Sequence, residues 1–300
     1  MKLYLPLLII AILFLSSQVF AQTAQDWNKK GIEFYGKQEY EEALKCFDKA
    51  LKLDPTSPDL WFNRGNTYFW LFNNEKASGS YGEVLKLKPS HTKARFLKAY
   101  VLNFLGKNSD ARACLEEVFR YDRDLKNIHM NEAIGTILIT PLNIAVKSGS
   151  KSVVDLLVSK GANVNFVKRT RGGSTDTPLH TAVECKNKDM VKYLISCGAD
   201  MNITADGGMV PLAHACYNGS IEIVKILIES GANLEAKDMW GMTPLYWACK
   251  KGDKAIVELL IKSGADVNAR DNGKQTPLSF AEKEGKQEVL ELLKKYGAEK

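Results

Sequence analysis

After residue 139 the chain repeats one phrase five times: Thr-Pro-Leu or a close variant, an Ala four residues past the Pro, an apolar run, then Gly-Ala. The prolines Pro141, Pro178, Pro211, Pro244 and Pro277 are separated by 37, 33, 33 and 33 residues, and the closing glycines Gly161, Gly198, Gly231, Gly264 and Gly297 keep the same step. A fixed period of this length describes short units that cannot bury an apolar face alone and must stack on their neighbours. A single closed core is therefore excluded for this half of the chain.

Each recurring element of the phrase has a physical job. Thr140, Thr177, Thr243 and Thr276 stand where an N-cap hydroxyl accepts a backbone N–H, and the following Pro suits the first helical position, whose N–H has no intrahelical acceptor. Val210 replaces the Thr in the third copy and is expected to forfeit a cap worth roughly 1 kcal/mol. The second helix of a copy reads as an apolar stripe, Ile221, Val224, Leu227 and Ile228 in one and Ile256, Leu259 and Leu260 in the next. It ends at a Gly that enters the left-handed region without a Cβ penalty. Ala145, Ala182, Ala215, Ala248 and Ala281 supply the small residue that lets paired helices approach. Over residues 137–300 these features resemble the ankyrin repeat, whose Thr-Pro-Leu-His form survives complete at His180, with Asn143, Ala213, Tyr246 and Ser279 in the other copies.

Upstream a 34-residue step relates Trp27 to Trp61, Gly31 to Gly65, Ala43 to Ala77, Phe47 to Tyr81 and Pro55 to Pro89. This is similar to the tetratricopeptide repeat. A weaker third copy offers Ala99, Leu102, Ala111, Leu115 and Val118, with Arg95 in place of Trp and Arg123 in place of Pro. Gly31, Gly65 and Ala99 are expected to face Ala43, Ala77 and Ala111 across each helix pair. The second helix of the middle copy contains Gly79 and Gly82, each costing about 1 kcal/mol relative to Ala.

Residues 1–21 read as a secretory signal: Lys2, an apolar run from Leu3 to Leu15, and Val19-Phe20-Ala21 as a cleavage pattern between Ala21 and Gln22. The run is shorter than the roughly 20 apolar residues of a membrane span. Export to a periplasmic or extracellular space is expected, with membrane attachment only if the signal stays uncleaved. The net charge of +6 is spread over both arrays and gives no electrostatic footprint for nucleic acid. Cys216 and Cys249 share a slot in consecutive repeats, about one helix spacing apart and too far for a disulfide; Cys46 and Cys114 are two repeats apart, and Cys185 and Cys197 fall at opposite ends of a hairpin. All six cysteines are expected to be free thiols.

No spacing of the four histidines or six cysteines suits a metal, and Gly172-Gly173 and Gly207-Gly208 lack a nucleotide-loop context. No catalytic residue and no cofactor are expected. Specificity in stacked arrays falls on positions that packing does not need. In the first array Ile32, Tyr35, Phe62, Phe69, Trp70, Phe96, Tyr100 and Phe104 are expected along a groove, with Asn63, Asn66 and Asn103 available to a peptide backbone. Residues 125–139 carry an apolar stripe of their own that offers a second occupant for that groove. The family's carboxylate-clamp positions correspond to Asn28, Ile32, Asn63, Lys93 and Leu97, of which two match.

In the second array the variable position three residues past each Pro reads Ile144, Thr181, His214, Trp247 and Phe280. Tyr217 lies one helical turn past His214, and Trp240 sits between Met239 and Met242 at a loop tip. These aromatics read either as partner anchors or as Trp247 and Phe280 stacked on each other. As anchors, Trp247 and Phe280 are expected to be removable with a loss of affinity and little loss of stability. The four extra residues of the first interval place Lys168, Arg169 and Arg171 in a longer loop, solvated or in contact with an acidic partner.

The sequence thus specifies an all-α protein of two stacked helical-hairpin arrays. Residues 22–125 hold about three tetratricopeptide repeats, 126–136 a linker or cap, and 137–300 five ankyrin repeats. The short linker is expected to let the arrays dock as one body. The resemblance implies a non-enzymatic scaffold or adaptor that binds protein or peptide partners on concave surfaces. A narrower reading is an inhibitor or immunity-type protein that neutralises one exported enzyme or toxin.

Overall fold

A computed structural model describes residues 22–121, 140–169 and 175–299. The expected signal, its Ala21 side of the cleavage point, the whole of the 126–136 linker with the apolar stripe of residues 125–139, and the tip of the longer loop lie outside the described residues. Among the described residues the fold is all-helical apart from one two-residue ladder, and no helix is long and apolar enough to cross a membrane. The chain divides into two compact units, one ending at Ala94 and one beginning at Arg95.

The first unit holds two antiparallel helix pairs, α1 (Ala24–Gly36) with α2 (Tyr40–Leu53) and α3 (Pro58–Trp70) with α4 (Asn74–Leu87). Thr23 and Asp26 close a reciprocal capping box on α1, while Ser57 caps α3 ahead of Pro58. The small first-helix residues do not chiefly accommodate the facing alanines. A Cβ on Gly31 would sit 2.6 Å from the Phe47 ring and one on Gly65 2.7 Å from the Tyr81 ring. The missing side chain makes room for an aromatic one turn beyond the Ala, and Ala43, Ala77, Phe47 and Tyr81 are all buried. The buried Tyr81 hydroxyl donates to Asn66 Oδ1 at 2.8 Å.

The turns joining the helices of each pair need left-handed backbone. Gln38 has φ 66°, and one repeat on Phe72 has φ 56°, where the next copy places Gly106. Phe72 is also 87% exposed, so neither packing nor the turn accounts for an aromatic there. Helix α4 runs unbroken through Gly79 and Gly82. Backbone entropy at two glycines is expected to make it the weakest helix of the unit, with hydrogen exchange faster over residues 76–86 than in α2 or α3. Equal protection across all three helices would show that packing outweighs this propensity.

The second unit begins with α5 (Thr92–Phe104, entering the unit at Arg95), α6 (Asn108–Glu116) and the single turn α7 (Val118–Tyr121). Arg95, in the slot where Trp recurs upstream, is buried; it pairs with Glu117 and lies 4.9 Å from the Tyr121 ring centroid. Five helix pairs follow among the described residues: α8 (Pro141–Ser148) with α9 (Lys151–Ser159), α10 (Pro178–Glu184) with α11 (Lys188–Ser196), α12 (Pro211–Asn218) with α13 (Ile221–Glu229), α14 (Pro244–Lys251) with α15 (Lys254–Lys262), and α16 (Pro277–Lys283) with α17 (Gln287–Lys295). Helix α6 packs on α8, and Asn103 Nδ2 donates to Ser148 Oγ at 3.1 Å, which ties the weak third copy to this array.

The five marker alanines are fully buried, and the closing glycines have φ between 80° and 100°. Thr140, Thr177 and Thr276 accept from the backbone N–H three residues on, and Val210 makes no cap bond. Thr243 departs from expectation: its Oγ1 is buried without a partner, and the Tyr246 N–H bonds to the Thr243 carbonyl at 3.0 Å instead. The stripe of α13 is also rotated from its sequence reading. Ile221 is exposed, and Ile223, Val224, Ile226 and Leu227 are buried, just as Val257 rather than Leu259 joins Ile256 and Leu260 in α15. A position at a helix start hangs over the hairpin turn, so period alone misassigns it. The extra residues of the first interval form a ladder pairing Lys168 with Asp176 and Arg169 with Thr175. The six cysteines are free, three of them buried as small apolar residues.

Candidate functional site

In the first unit Phe62, Phe69 and Trp70 are half-buried and pack on other rings. Phe62 lies 6.0 Å from Tyr81 and 4.9 Å from His91, and Phe69 meets Trp70 edge-on at 6.0 Å. Trp70 stacks on Tyr40 at 5.9 Å with planes 3° apart. Asn63 donates to Asn28 Oδ1 at 3.0 Å, and Asn66 is held by Tyr81. Both amides are thereby engaged within the repeats. Phe96 and Tyr100, in the second unit, are core residues: Phe96 is fully buried, and burial pushes the Tyr100 hydroxyl up to about 12. Arg95, Phe96 and Leu97 are consecutive and all buried, so α5 has no outward stripe at these positions. Asn103 is buried as well, whereas Phe104 remains half-exposed.

The ankyrin array brings four of its five singled-out residues together. His214 and Tyr217 on α12, Trp247 on α14 and Trp240 on the tip before α14 line one cleft of about 490 Å³. Trp247 forms its floor at 7% exposure, with Tyr217 edge-on at 5.4 Å and Trp240 tilted at 6.2 Å. Those two walls are 49% and 48% exposed. Phe280 lies elsewhere, 6.0 Å from Tyr246 and 8% exposed, so Trp247 and Phe280 do not stack on each other. Neither can be removed without loss of stability: large-to-small changes at buried aromatics cost about 3–5 kcal/mol each. Tyr217 and Trp240, about half-exposed, are the aromatics of the cleft whose removal costs the least packing.

The lining charges are Asp176, Glu184 and Asp206 against Lys250. Lys250 Nζ lies 4.8 Å from the Trp247 ring centroid, an intramolecular cation–π contact. Two histidines complete the floor, their rings 5.3 Å apart. His180 holds its own repeat together: Nδ1 is 2.9 Å from Thr177 Oγ1 and Nε2 is 3.1 Å from the Met209 carbonyl. A carbonyl only accepts, so Nε2 carries the proton and Nδ1 accepts from the Thr hydroxyl. Burial, helped by His214, lowers the His180 pKa to about 4. Burial also lowers His214, whose Nε2 is buried without a partner.

Asp238, which the repeat reading passed over, organises the cleft. Its buried carboxylate accepts from the Trp240 and Met242 N–H groups at Oδ1 and from Trp247 Nε1 at Oδ2, each at 2.9 Å. One side chain thus sets the floor ring and the wall ring together. Asp271, one period later, accepts from Gln275 N–H in the same way. This Asp five residues before the next repeat's opening pair was the available signal, but Ala205 breaks the series one period earlier. Neighbouring tips are sewn to each other: Met239 N–H donates to the Gly207 carbonyl at 2.9 Å and Asn272 N–H to the Trp240 carbonyl at 3.0 Å. Gly207-Gly208 is more than a turn, since a Cβ on Gly208 would stand 2.9 Å from the Met239 nitrogen.

Models of ankyrin repeats match residues 115–205, 142–238 and 212–300, more than half the chain. The chain belongs to the ankyrin-repeat family. A TPR-repeat model matches residues 31–71 in the first unit. Among curated proteins, the chain is 30% identical over 102 residues to the Protein STIP1 homolog of Dictyostelium discoideum, covering 34% of this chain and 18% of that protein. It is 30% identical over 107 residues to RNA polymerase II-associated protein 3 of Mus musculus, 36% of this chain and 16% of the relative. A peroxisomal targeting signal receptor of Saccharomyces cerevisiae is 32% identical over 66 residues, 22% of this chain and 11% of the receptor. The chain spans less than a fifth of the length of these relatives. Both repeat families are protein-interaction modules, and this ankyrin-repeat chain has a protein-binding architecture.

Proposed function

We propose that this ankyrin-repeat protein is an exported, non-enzymatic scaffold that binds a partner polypeptide at the cleft floored by Trp247. The observation that carries the reading is the pair of half-exposed rings, Tyr217 and Trp240, held by hydrogen-bonded backbone around a buried aromatic. Aromatic anchors at the edge of a desolvated pocket supply most of the energy in typical interfaces. Met239 beside them is 63% exposed, which extends the apolar rim. Export rests on the apolar run and cleavage pattern at residues 1–21. One relative is, by its name, a peroxisomal targeting signal receptor, which supports recognition of a partner as a use of such a chain.

A photo-crosslinking amino acid at position 239 of the full chain, expressed in its own cell, tests this reading. We expect a covalent adduct with another protein, on chains whose first residue is Gln22, and loss of the adduct in Trp240→Ala. A single tight partner that is an enzyme or toxin supports the inhibitor reading over the general scaffold. Adducts that persist unchanged in Trp240→Ala exclude the cleft, and chains that retain Met1 exclude processing.

A further inference from the structure

A second pocket, of about 280 Å³, lies where the weak third tetratricopeptide copy meets the first two ankyrin pairs, and it shares no residue with the Trp247 cleft. Its lining carries two cations, Arg112 from α6 and Lys147 from the end of α8, and no carboxylate. Among the described residues neither cation pairs with an acid. Arg112 Nε reaches the Ser148 carbonyl at 3.5 Å, and Lys147 Nζ rests 5.0 Å from the Phe104 ring centroid, so both heads keep donors to spare. A third donor comes from Asn187, whose Oδ1 caps α11 by accepting the Met190 N–H at 3.1 Å. That cap fixes the amide and leaves Nδ2 without a bond among the described residues.

Gly149 keeps the space these donors border open. A Cβ there would stand 3.0 Å from Arg112 Nη2 and 3.3 Å from Asn187 Nδ2. Asn103 also lines the pocket at 8% exposure; its Nδ2 donates to Ser148 Oγ, and its Oδ1 is buried without a partner. A buried polar atom that the protein leaves unpaired is one that a water or ion completes. Burial pushes the Cys185 thiol up, so this lining group adds no negative charge, and Glu184, which acts on that thiol from nearby, is outside the lining. We infer that this pocket binds a phosphate group. Two uncompensated charges match a dianion, and donors arriving from three elements suit a tetrahedral group that presents oxygens in several directions. A carboxylate has two oxygens in one plane, and the Arg fork alone satisfies it. The inference does not rest on the Trp247 cleft, and either can fail without the other.

The test is an NMR titration of the full chain with inorganic phosphate at constant ionic strength. We expect saturable shifts of the Gly149 backbone and Asn187 side-chain N–H signals, and acetate binding weaker by about tenfold. Arg112→Gln with Lys147→Gln is expected to weaken phosphate binding by about tenfold or more, the loss of two charge-assisted contacts. Because that pair also alters net charge, Gly149→Asn is the second variant: Asn tolerates the left-handed backbone that φ 66° requires, fills the open space and keeps every charge. It is expected to weaken phosphate to a similar degree, with circular dichroism verifying that the fold is kept. A short phosphoserine peptide that binds more tightly than inorganic phosphate, and only when phosphorylated, identifies a phosphorylated polypeptide as the source; a peptide that binds no better identifies a free phosphate compound. Acetate binding as tightly as phosphate, shifts that rise linearly without saturating, or phosphate binding unchanged in Gly149→Asn overturns the inference.

Discussion

Asp238→Ala is expected to destabilise the ankyrin array by about 3 kcal/mol, because it strips the acceptor from three donors, two of them on a tip that neighbouring loops clasp. The more informative variant is Asp238→Asn. Its carbonyl oxygen can still take the Trp240 and Met242 N–H groups, but its amide NH2 meets the Trp247 indole N–H, donor against donor. A loss of about 1–2 kcal/mol is expected, from one buried bond broken and one donor stranded. Trp247→Phe removes the stranded donor, so the double variant Asp238→Asn with Trp247→Phe is expected to be more stable than the sum of the single losses by at least 1 kcal/mol. Urea unfolding followed by near-ultraviolet circular dichroism measures all three. Strict additivity in this cycle would mean that the indole bond contributes nothing. Equal losses in the Ala and Asn variants would mean that the backbone donors are satisfied without the side chain.

The second large effect is a dependence on pH carried by His180. In the unfolded chain the imidazole titrates near 6.5, and in the folded repeat burial holds it to about 4. Between those values the unfolded chain binds the extra proton, so stability rises with pH through this window and is at its full value above about 6.5. Acidification to pH 4 is expected to remove roughly 3 kcal/mol through this one group, from a shift of about 2.5 units at 1.36 kcal/mol each. The cause is local: protonation at Nδ1 costs the bond donated by Thr177 Oγ1 and places a charge beside His214 in a closed site. His214 is lowered in the same direction, so its titration adds to the slope. His180→Gln has no such proton to take up and is expected to be less stable at pH 7 but flatter between pH 6.5 and 4. Imidazole C–H shifts by NMR give the second readout, with His180 unchanged down to pH 5. Titration of His180 near 6.5, or parallel slopes for wild type and His180→Gln, would remove this explanation.

The architecture was readable from recurrence because each recurring residue answers a local backbone need. A Pro is tolerated at the first helical position, a Gly at a left-handed C′, and an Ala where two helices must touch, whatever lies further away. That is why Pro211 starts α12 even though Val210 offers no cap, and why the closing glycines all adopt positive φ. Identical slots nevertheless gave different local bonding. Thr243 has the residue type of Thr177 but no cap bond, and its carbonyl rather than its hydroxyl takes the Tyr246 N–H.

The candidate site was legible only as separate exceptions to the repeat. His214, Tyr217, Trp240 and Trp247 stood out individually, and Phe280 stood out with them, because sequence period places all five on related positions. Whether they meet depends on how consecutive tips pack, and that packing selects four and sends Phe280 to Tyr246. The same holds for Phe96 and Tyr100, outward by helical period and buried in the structure.

What the sequence by itself determined is the stack: five ankyrin units, their helix starts and stops, and the tetratricopeptide pairs ahead of them. Short-range sterics and capping decide those, and they act within one unit. Only the tertiary structure decided that Asp238 joins floor to wall, that three carboxylates and two histidines face the same aromatic cleft, and that Trp247 is too buried to serve as an expendable anchor. The lining of the cleft arises from residues about one period apart or more, and the Asp238 bonds, only two to nine residues apart in sequence, depend on how the tip lies against the helix that follows it.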